Sequence, residues 1–166
     1  PPLDEPSRVA DLVARAQRAP SARVGVAGAL TVDLKGENLA EMGMLVEAGC
    51  VALSDGAQPI ADLQILRRTL EYGARLGVPI FLRPGVPVLE ERGVMHEGAT
   101  SVRVGLRGIP TASEEIGVGQ IIALVARIRS PVHLTHVTTR RALRLVAAAQ
   151  AEGLPITASV PARQLL

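Results

Sequence analysis

The sequence predicts an α/β fold in which parallel strands alternate with helices. Three observations carry this. Short apolar runs bounded by turn residues alternate with longer stretches whose apolar residues recur at helical spacing. One junction is used twice in nearly the same words, Leu76-Gly77-Val78-Pro79-Ile80 and Glu152-Gly153-Leu154-Pro155-Ile156, each a helix stop running into a strand. The 166 residues include one Phe (Phe81), one Tyr (Tyr72) and no Trp, yet 48% are apolar. Ala, Val, Leu and Ile must therefore fill the core, which suits helices layered on a sheet.

The elements follow in order. Pro6 or Ser7 opens a helix to Gln17, with Val9, Leu12, Val13 and Ala16 on one stripe. Pro20-Ser21 breaks it. Residues 23–30 are small and apolar and read as a buried strand, with close backbone approach at Gly25 and Gly28. A turn over 33–36 precedes a helix over 37–48, ended by Gly49. Residues 50–53 form a short buried strand that ends at Ser54-Asp55-Gly56. A helix over 61–76 turns Leu63, Leu66, Leu70 and Ala74 inward. Residues 78–82 are the third strand. Residues 86–110 then break the rhythm with six prolines and glycines. Such an excursion, with room for one short helix, marks a lid or an interface. A helix over 113–129, a strand over 131–136, a helix over 139–152 and a strand over 154–160 complete the chain.

This order requires right-handed crossovers between parallel strands. It fits an open doubly wound sheet or an arc of a (β/α)8 barrel. No Gly-x-Gly-x-x-Gly follows the first strand, and no P-loop word is present, so a nucleotide-binding sheet loses ground. Both ends look cut: Pro1-Pro2 lacks an initiating Met, and Gln164-Leu165-Leu166 lies in an apolar run. The expectation is an arc, a single partial domain over 1–166 belonging to a longer chain.

Composition excludes several function classes. The net charge is only +2, from one lysine (Lys35) and seventeen arginines against sixteen acids. No basic run carries interleaved aromatics, so no nucleic-acid partner is expected. No leader and no membrane-length apolar run is present, so no membrane association is expected. The single cysteine, Cys50, reads as a small core hydrophobe in a buried strand rather than a nucleophile. With no disulfide available within the chain, a cytoplasmic location fits.

In a parallel sheet the strand ends share one rim, where the chemistry of such folds is carried. That rim would collect Thr31, Ser54-Asp55-Gly56, Arg83, His136 and Pro161-Ala162-Arg163. His136 is its most informative residue, a histidine or metal-ligand type at a strand end. His133, three residues earlier, should face the other way, and His96 in the excursion could reach the rim. A Ser54–His136–Asp55 triad is disfavoured because Ser54 and Asp55 are adjacent. Lys35, in a turn, has no burial signal. Arg83 and Arg163 could together bind an anion.

A series of short words runs through the chain: Gly28-Ala29-Leu30-Thr31, Leu34-Lys35-Gly36-Glu37, Leu39-Ala40-Glu41-Met42-Gly43, Ala52-Leu53-Ser54-Asp55 and Leu70-Glu71-Tyr72. Further along come Met95-His96-Glu97-Gly98, Gly105-Leu106, Gly108-Ile109-Pro110 and Gly153-Leu154-Pro155-Ile156-Thr157-Ala158. These words resemble the bacterial dihydroorotases of the zinc amidohydrolase superfamily, and they run in family order over essentially the whole chain. The resemblance implies about strands three to seven of a TIM-type (β/α)8 amidohydrolase barrel. It places the family's first-strand His-x-His and last-strand Asp outside these residues.

The departures shape the functional expectation. The resemblance puts metal ligands at three covered positions, now Gly56, Arg83 and His136. Only His136 keeps a ligand type. Gly56 has no donor, and a guanidinium cannot deprotonate to bind a cation. Where the family often has paired histidines after its seventh strand stand Arg163 and Gln164. Lys35 lies too far from the fourth barrel strand's end to serve as a carboxylated bridge. Zinc, the family's metal, is expected to be absent or weakly bound, and no catalytic residue is assigned. The pattern is closest to non-catalytic dihydroorotase-like proteins that act in pyrimidine biosynthesis as structural partners of aspartate carbamoyltransferase. An active zinc-dependent dihydroorotase or cyclic amidohydrolase is the alternative. An oligomer is expected in either case.

An arc would expose its first and last strands as open edges. Expressed as residues 1–166 alone, the protein is therefore expected to self-associate and to unfold without a sharp transition. Light scattering after size exclusion and a urea titration check this, and a cooperative monomer would count against the arc.

Overall fold

The computed structural model describes residues 2–18 and 22–162. Five strands form one parallel sheet: β1 (Ala27–Gly28), β2 (Ala52–Ser54), β3 (Ile80–Leu82), β6 (Val132–Leu134) and β7 (Ile156–Ala158), in the order β1-β2-β3-β6-β7. Helices α1 (Pro6–Gln17), α2 (Met42–Glu47), α3 (Leu63–Leu76), α6 (Thr111–Ile128) and α7 (Arg140–Ala151) belong to this layer. The excursion supplies α4 (Pro87–Glu90), β4 (Met95–His96), α5 (Ala99–Val104) and β5 (Gly108–Ile109). Its two strands pair with each other, in parallel, as a separate small sheet.

Register is set at the strand entrances. Pro79, Pro131 and Pro155 stand just before β3, β6 and β7. Each offers its carbonyl to the adjacent strand: Pro79 accepts from Leu53 N–H (3.1 Å), Pro131 from Ile80 N–H (3.0 Å) and Pro155 from Val132 N–H (2.9 Å). A proline there has no amide of its own to leave unpaired. Alternation then sends Leu53, Ile80, Leu82, Val132, Leu134 and Ile156 into the core shared with the helices. Phe81 and His133 point to the opposite face, their ring centroids 5.0 Å apart.

Helix ends follow local chemistry. Pro6 opens α1. The Asp62 carboxylate caps α3, accepting from Gln64 N–H (2.7 Å) and Ile65 N–H (3.2 Å). Thr139 caps α7 by accepting from Ala142 N–H (3.3 Å).

Several expectations need correction. The strand expected over 23–30 shrinks to Ala27–Gly28, and Val24 is exposed. It has one strand partner, β2, and ahead of the strand the pairing is reduced to the Val26 carbonyl, which accepts from Val51 N–H (2.9 Å). The close approach does occur, because a Cβ on Gly28 would press on the Cys50 Sγ at 2.8 Å. Cys50 itself precedes β2 rather than lying within it. The helix expected over 37–48 spans only Met42–Glu47. Residues before it fold back on the first strand's end instead: Val32 N–H donates to the Asn38 carbonyl (2.9 Å) and Ala40 N–H to the Leu30 carbonyl (3.0 Å). That long-range pairing overrides the helical spacing. On α3 the inward stripe is Ile65, Leu66, Thr69, Leu70 and Gly73, while Leu63 and Ala74 face solvent. The excursion holds two short helices where one was expected.

The end of β1 is fastened to β2 by Asp55, which is buried. Its carboxylate accepts from Leu30 N–H (2.8 Å), Thr31 N–H (3.0 Å) and the Thr31 hydroxyl. Asp55→Ala would strand two buried amides, and the expected loss is about 3 kcal/mol or more. The urea midpoint of the variant measures it.

Candidate functional site

β6 ends at Leu134, Thr135 N–H still donates to the Leu82 carbonyl (2.9 Å), and the chain then turns sharply, with His136 at φ 60°. A non-glycine residue in the left-handed region stores strain and often marks a working position. The turn leaves the His136 ring exposed at the mouth of a rim cleft of roughly 690 Å³. Arg83, Glu90, His96, Glu114 and Thr138 share that cleft.

Two carboxylates build its walls. Glu114, in the first turn of α6, reaches the turn after β6. It accepts from Thr138 N–H (3.0 Å), Thr139 N–H (2.8 Å), the Thr138 hydroxyl (2.7 Å) and the Thr139 hydroxyl (2.9 Å). The Thr138 hydroxyl proton goes to Glu114, so its oxygen accepts from His96 Nε2 at 3.0 Å. This bond docks the excursion onto the rim. Glu90, on α4, takes the other wall. One oxygen accepts from Arg83 Nη1 (2.8 Å) and the other from the Ser113 hydroxyl (3.0 Å). Ser113 in turn accepts from Val86 N–H (2.8 Å). The half-buried pair thus ties the end of β3, the start of the excursion and α6 together.

The structure sorts the residues singled out in the sequence. His136, Arg83 and His96 meet at one cleft. His133 lies apart, near Pro79, Phe81, Pro131, Pro155 and Thr157, its ring nitrogens on the Thr157 hydroxyl (2.8 Å) and the Ser159 hydroxyl (3.0 Å). The separation is as expected, but the turn at His136 produces it, since strand alternation ends first. His136 makes no side-chain hydrogen bond among the described residues. A Ser54–His136–Asp55 triad is not assembled: Asp55 is committed to Leu30 and Thr31, and the Ser54 hydroxyl accepts from Gly56 N–H (3.0 Å). Arg163 and Gln164 lie outside the described residues. Arg83, paired with Glu90, is not a free anion site.

Lys35 is a poor nucleophile. Its ammonium donates to the Asp33 carboxylate at 2.9 Å, and this bond, with the carboxylate's charge, pushes Lys35 further up while drawing Asp33 down. Burial pushes the Cys50 thiol up, against thiolate formation. Glu114 was missed in the sequence. Ser113-Glu114-Glu115 is legible in the sequence only as the start of the helix expected over 113–129, and the acceptor role of Glu114 spans twenty-four residues.

These residues do not fit a metal centre by themselves. Among the described residues no three His, Cys, Asp or Glu side chains converge as a cation would require. Gly56 adopts φ 66°, a left-handed turn that suits glycine and presents no ligand. Arg83 carries a fixed positive charge into the cleft. His136 alone has a ligand's chemistry and an unengaged ring. Among the described residues no helix is long and apolar enough to cross a membrane.

The parallel sheet, the helix layer and the shared rim are those of a segment of a (β/α)8 barrel. Solved structures agree on the fold. One D-hydantoinase crystal structure superposes at a TM-score of 0.66 with 18% identity, covering 98% of this chain and 37% of that one. The L-hydantoinase from Arthrobacter aurescens gives 0.62 with 15% identity, covering 92% and 36%. By sequence, the chain is 41% identical over 165 residues to a dihydroorotase of Anaeromyxobacter sp. strain K, covering 99% of this chain and 38% of the relative. It is 42% identical over 130 residues to that of Geotalea daltonii, covering 78% and 31%. No protein-family model matches. The chain belongs to the dihydroorotase family and spans about a third of the length of these relatives.

Glu114→Ala would leave two backbone amides and two hydroxyls without their acceptor. The expected loss is about 2–4 kcal/mol, with faster amide exchange at Thr138 and Thr139, read by calorimetry and hydrogen exchange. The Cys50 thiol should resist Ellman's reagent in the native protein and react on unfolding.

Proposed function

We propose that this chain is part of a dihydroorotase-family protein that has lost the hydrolytic chemistry. In this reading it serves pyrimidine biosynthesis as a structural partner of aspartate carbamoyltransferase, and the remaining barrel strands come from the rest of a longer chain. The observation that carries the reading is the Arg83–Glu90 ion pair (2.8 Å) at a position where the resemblance places a metal ligand. A fixed guanidinium charge there opposes a divalent cation, and its carboxylate partner is already engaged by Ser113. Gly56 removes a second ligand. Family enzymes rely on a metal to activate water, a task for which the covered positions retain only His136. The partnership with aspartate carbamoyltransferase, and a cytoplasmic site of action, rest on the resemblance.

One observation favours a second reading, an active zinc-dependent dihydroorotase. The exposed ring of His136 makes no hydrogen bond among the described residues, as an available ligand would. Donors from elsewhere in the protein could then complete a single metal site.

Metal analysis and a dihydroorotase assay on the full-length protein separate the two. The proposal expects substoichiometric zinc, no turnover, and co-elution with aspartate carbamoyltransferase. Stoichiometric zinc with turnover would overturn it. Arg83→His combined with Gly56→Asp should raise zinc affinity at least about tenfold by restoring two donors and removing one cation, measured by competition with a zinc indicator.

A further inference from the structure

A second cleft of roughly 370 Å³ adjoins the rim and shares His96, Thr111 and Thr138 with the first. Arg140, Arg141 and Arg144 line it, with Glu115 the single carboxylate among its lining residues. All three arginines are exposed and sit in the first five residues of α7, which carries no acidic side chain. Their spacing puts Arg144 on the same face as Arg140 and Arg141, so like charges are neighbours. They also stand at the helix end where the backbone dipole is positive and acidic residues are favoured. Both effects oppose helix stability. Beyond Glu114, whose carboxylate meets the Thr138 and Thr139 amides just before the helix, the internal compensation is slight: Arg141 approaches Glu115 at 3.7 Å, and Arg140 and Arg144 form no ion pair among the described residues.

We propose that this cleft is a docking surface for an acidic, Asp/Glu-rich segment of a partner protein. Guanidinium forks match carboxylates in two-point contacts, and three forks spaced over more than a turn suit carboxylates spread along a chain. A free phosphate is a poorer fit. Three of the amides around the start of α7 are taken, those of Thr138 and Thr139 by Glu114 and that of Ala142 by Thr139, which leaves a phosphate only those of Arg140 and Arg141. Nucleic acid is a poorer fit too, because no Phe, Tyr or Trp lines the cleft to stack a base. The two helices that border it also expose Ile116 and Leu143, apolar side chains of use to a protein segment and of none to an inorganic ion.

The test uses the full-length protein and a fluorescein-labelled peptide of Glu, Asp and Leu, followed by anisotropy at physiological ionic strength. The peptide should bind, and its Gln/Asn counterpart should not. Arg140→Glu with Arg144→Glu should weaken binding by about tenfold or more. That variant should melt no lower than the parent, because acids at a helix start are favourable. Should the reversed pair fail to fold, Arg140→Gln with Arg144→Gln applies the same test, with a smaller loss expected. Failure of the acidic peptide to bind the parent would overturn the proposal, as would equal binding by a folded variant. Displacement of the peptide by inorganic phosphate or single-stranded DNA at matching concentration would overturn it as well.

Discussion

The repeated proline carbonyl at the strand entrances is the interaction on which the rest of this structure depends. At Pro79, Pro131 and Pro155 the chain enters a strand and offers an acceptor to its neighbour's amide. The same step recurs across β2, β3, β6 and β7, so those strands are locked in one register and one direction. A slip of one residue would send Ile80, Leu82, Val132 and Leu134 out of the helix-facing core. Because the strands run the same way, their exits share one rim. Arg83 and His136 become neighbours through that geometry, although fifty-three residues separate them in sequence.

What happens at the rim is governed by carboxylates that serve as acceptors for the chain itself. Asp55 binds the end of β1, Glu90 binds Arg83 and Ser113, and Glu114 binds the turn after His136. A carboxylate saturated by amides, hydroxyls and a guanidinium is poorly placed to bind a cation or abstract a proton. The rim is therefore a stiff frame with its polar groups turned toward one another. The contrast is the first turn of α7, where arginines crowd together with little internal compensation. Internal pairing dominates in one region and uncompensated charge in the other. That difference separates the structural part of this surface from the part available to a partner.

The helix starts at Pro6 and Thr139, the stops at Gly49, Gly77 and Gly153, and the parallel strand–helix rhythm were all legible in the sequence. Each depends on residues within a few positions of one another, so local chemistry suffices. The short words that resemble dihydroorotases were legible for the same reason. Periodicity failed where a distant segment offered better pairing. The helix expected from residue 37 gave way because Asn38, Leu39 and Ala40 found backbone partners beside Leu30 and Val32. The inward stripe of α3 was displaced from Leu63 and Ala74 because the neighbouring elements choose the buried face, and spacing alone leaves more than one choice.

By itself, then, the sequence determined the class of fold, the order of its elements, the family, and the side chains that stand at Gly56, Arg83 and His136. Those are matters of local propensity and side-chain identity. Only the tertiary structure decided that Arg83 would pair with Glu90, that Glu114 would gather Thr138 and Thr139, and that His96 would arrive at the same cleft as His136. The physical reason is separation along the chain. Glu114 and Thr138 are twenty-four residues apart and His96 and Thr138 forty-two, so no local rule couples them until the parallel sheet and its helices bring them within hydrogen-bonding distance.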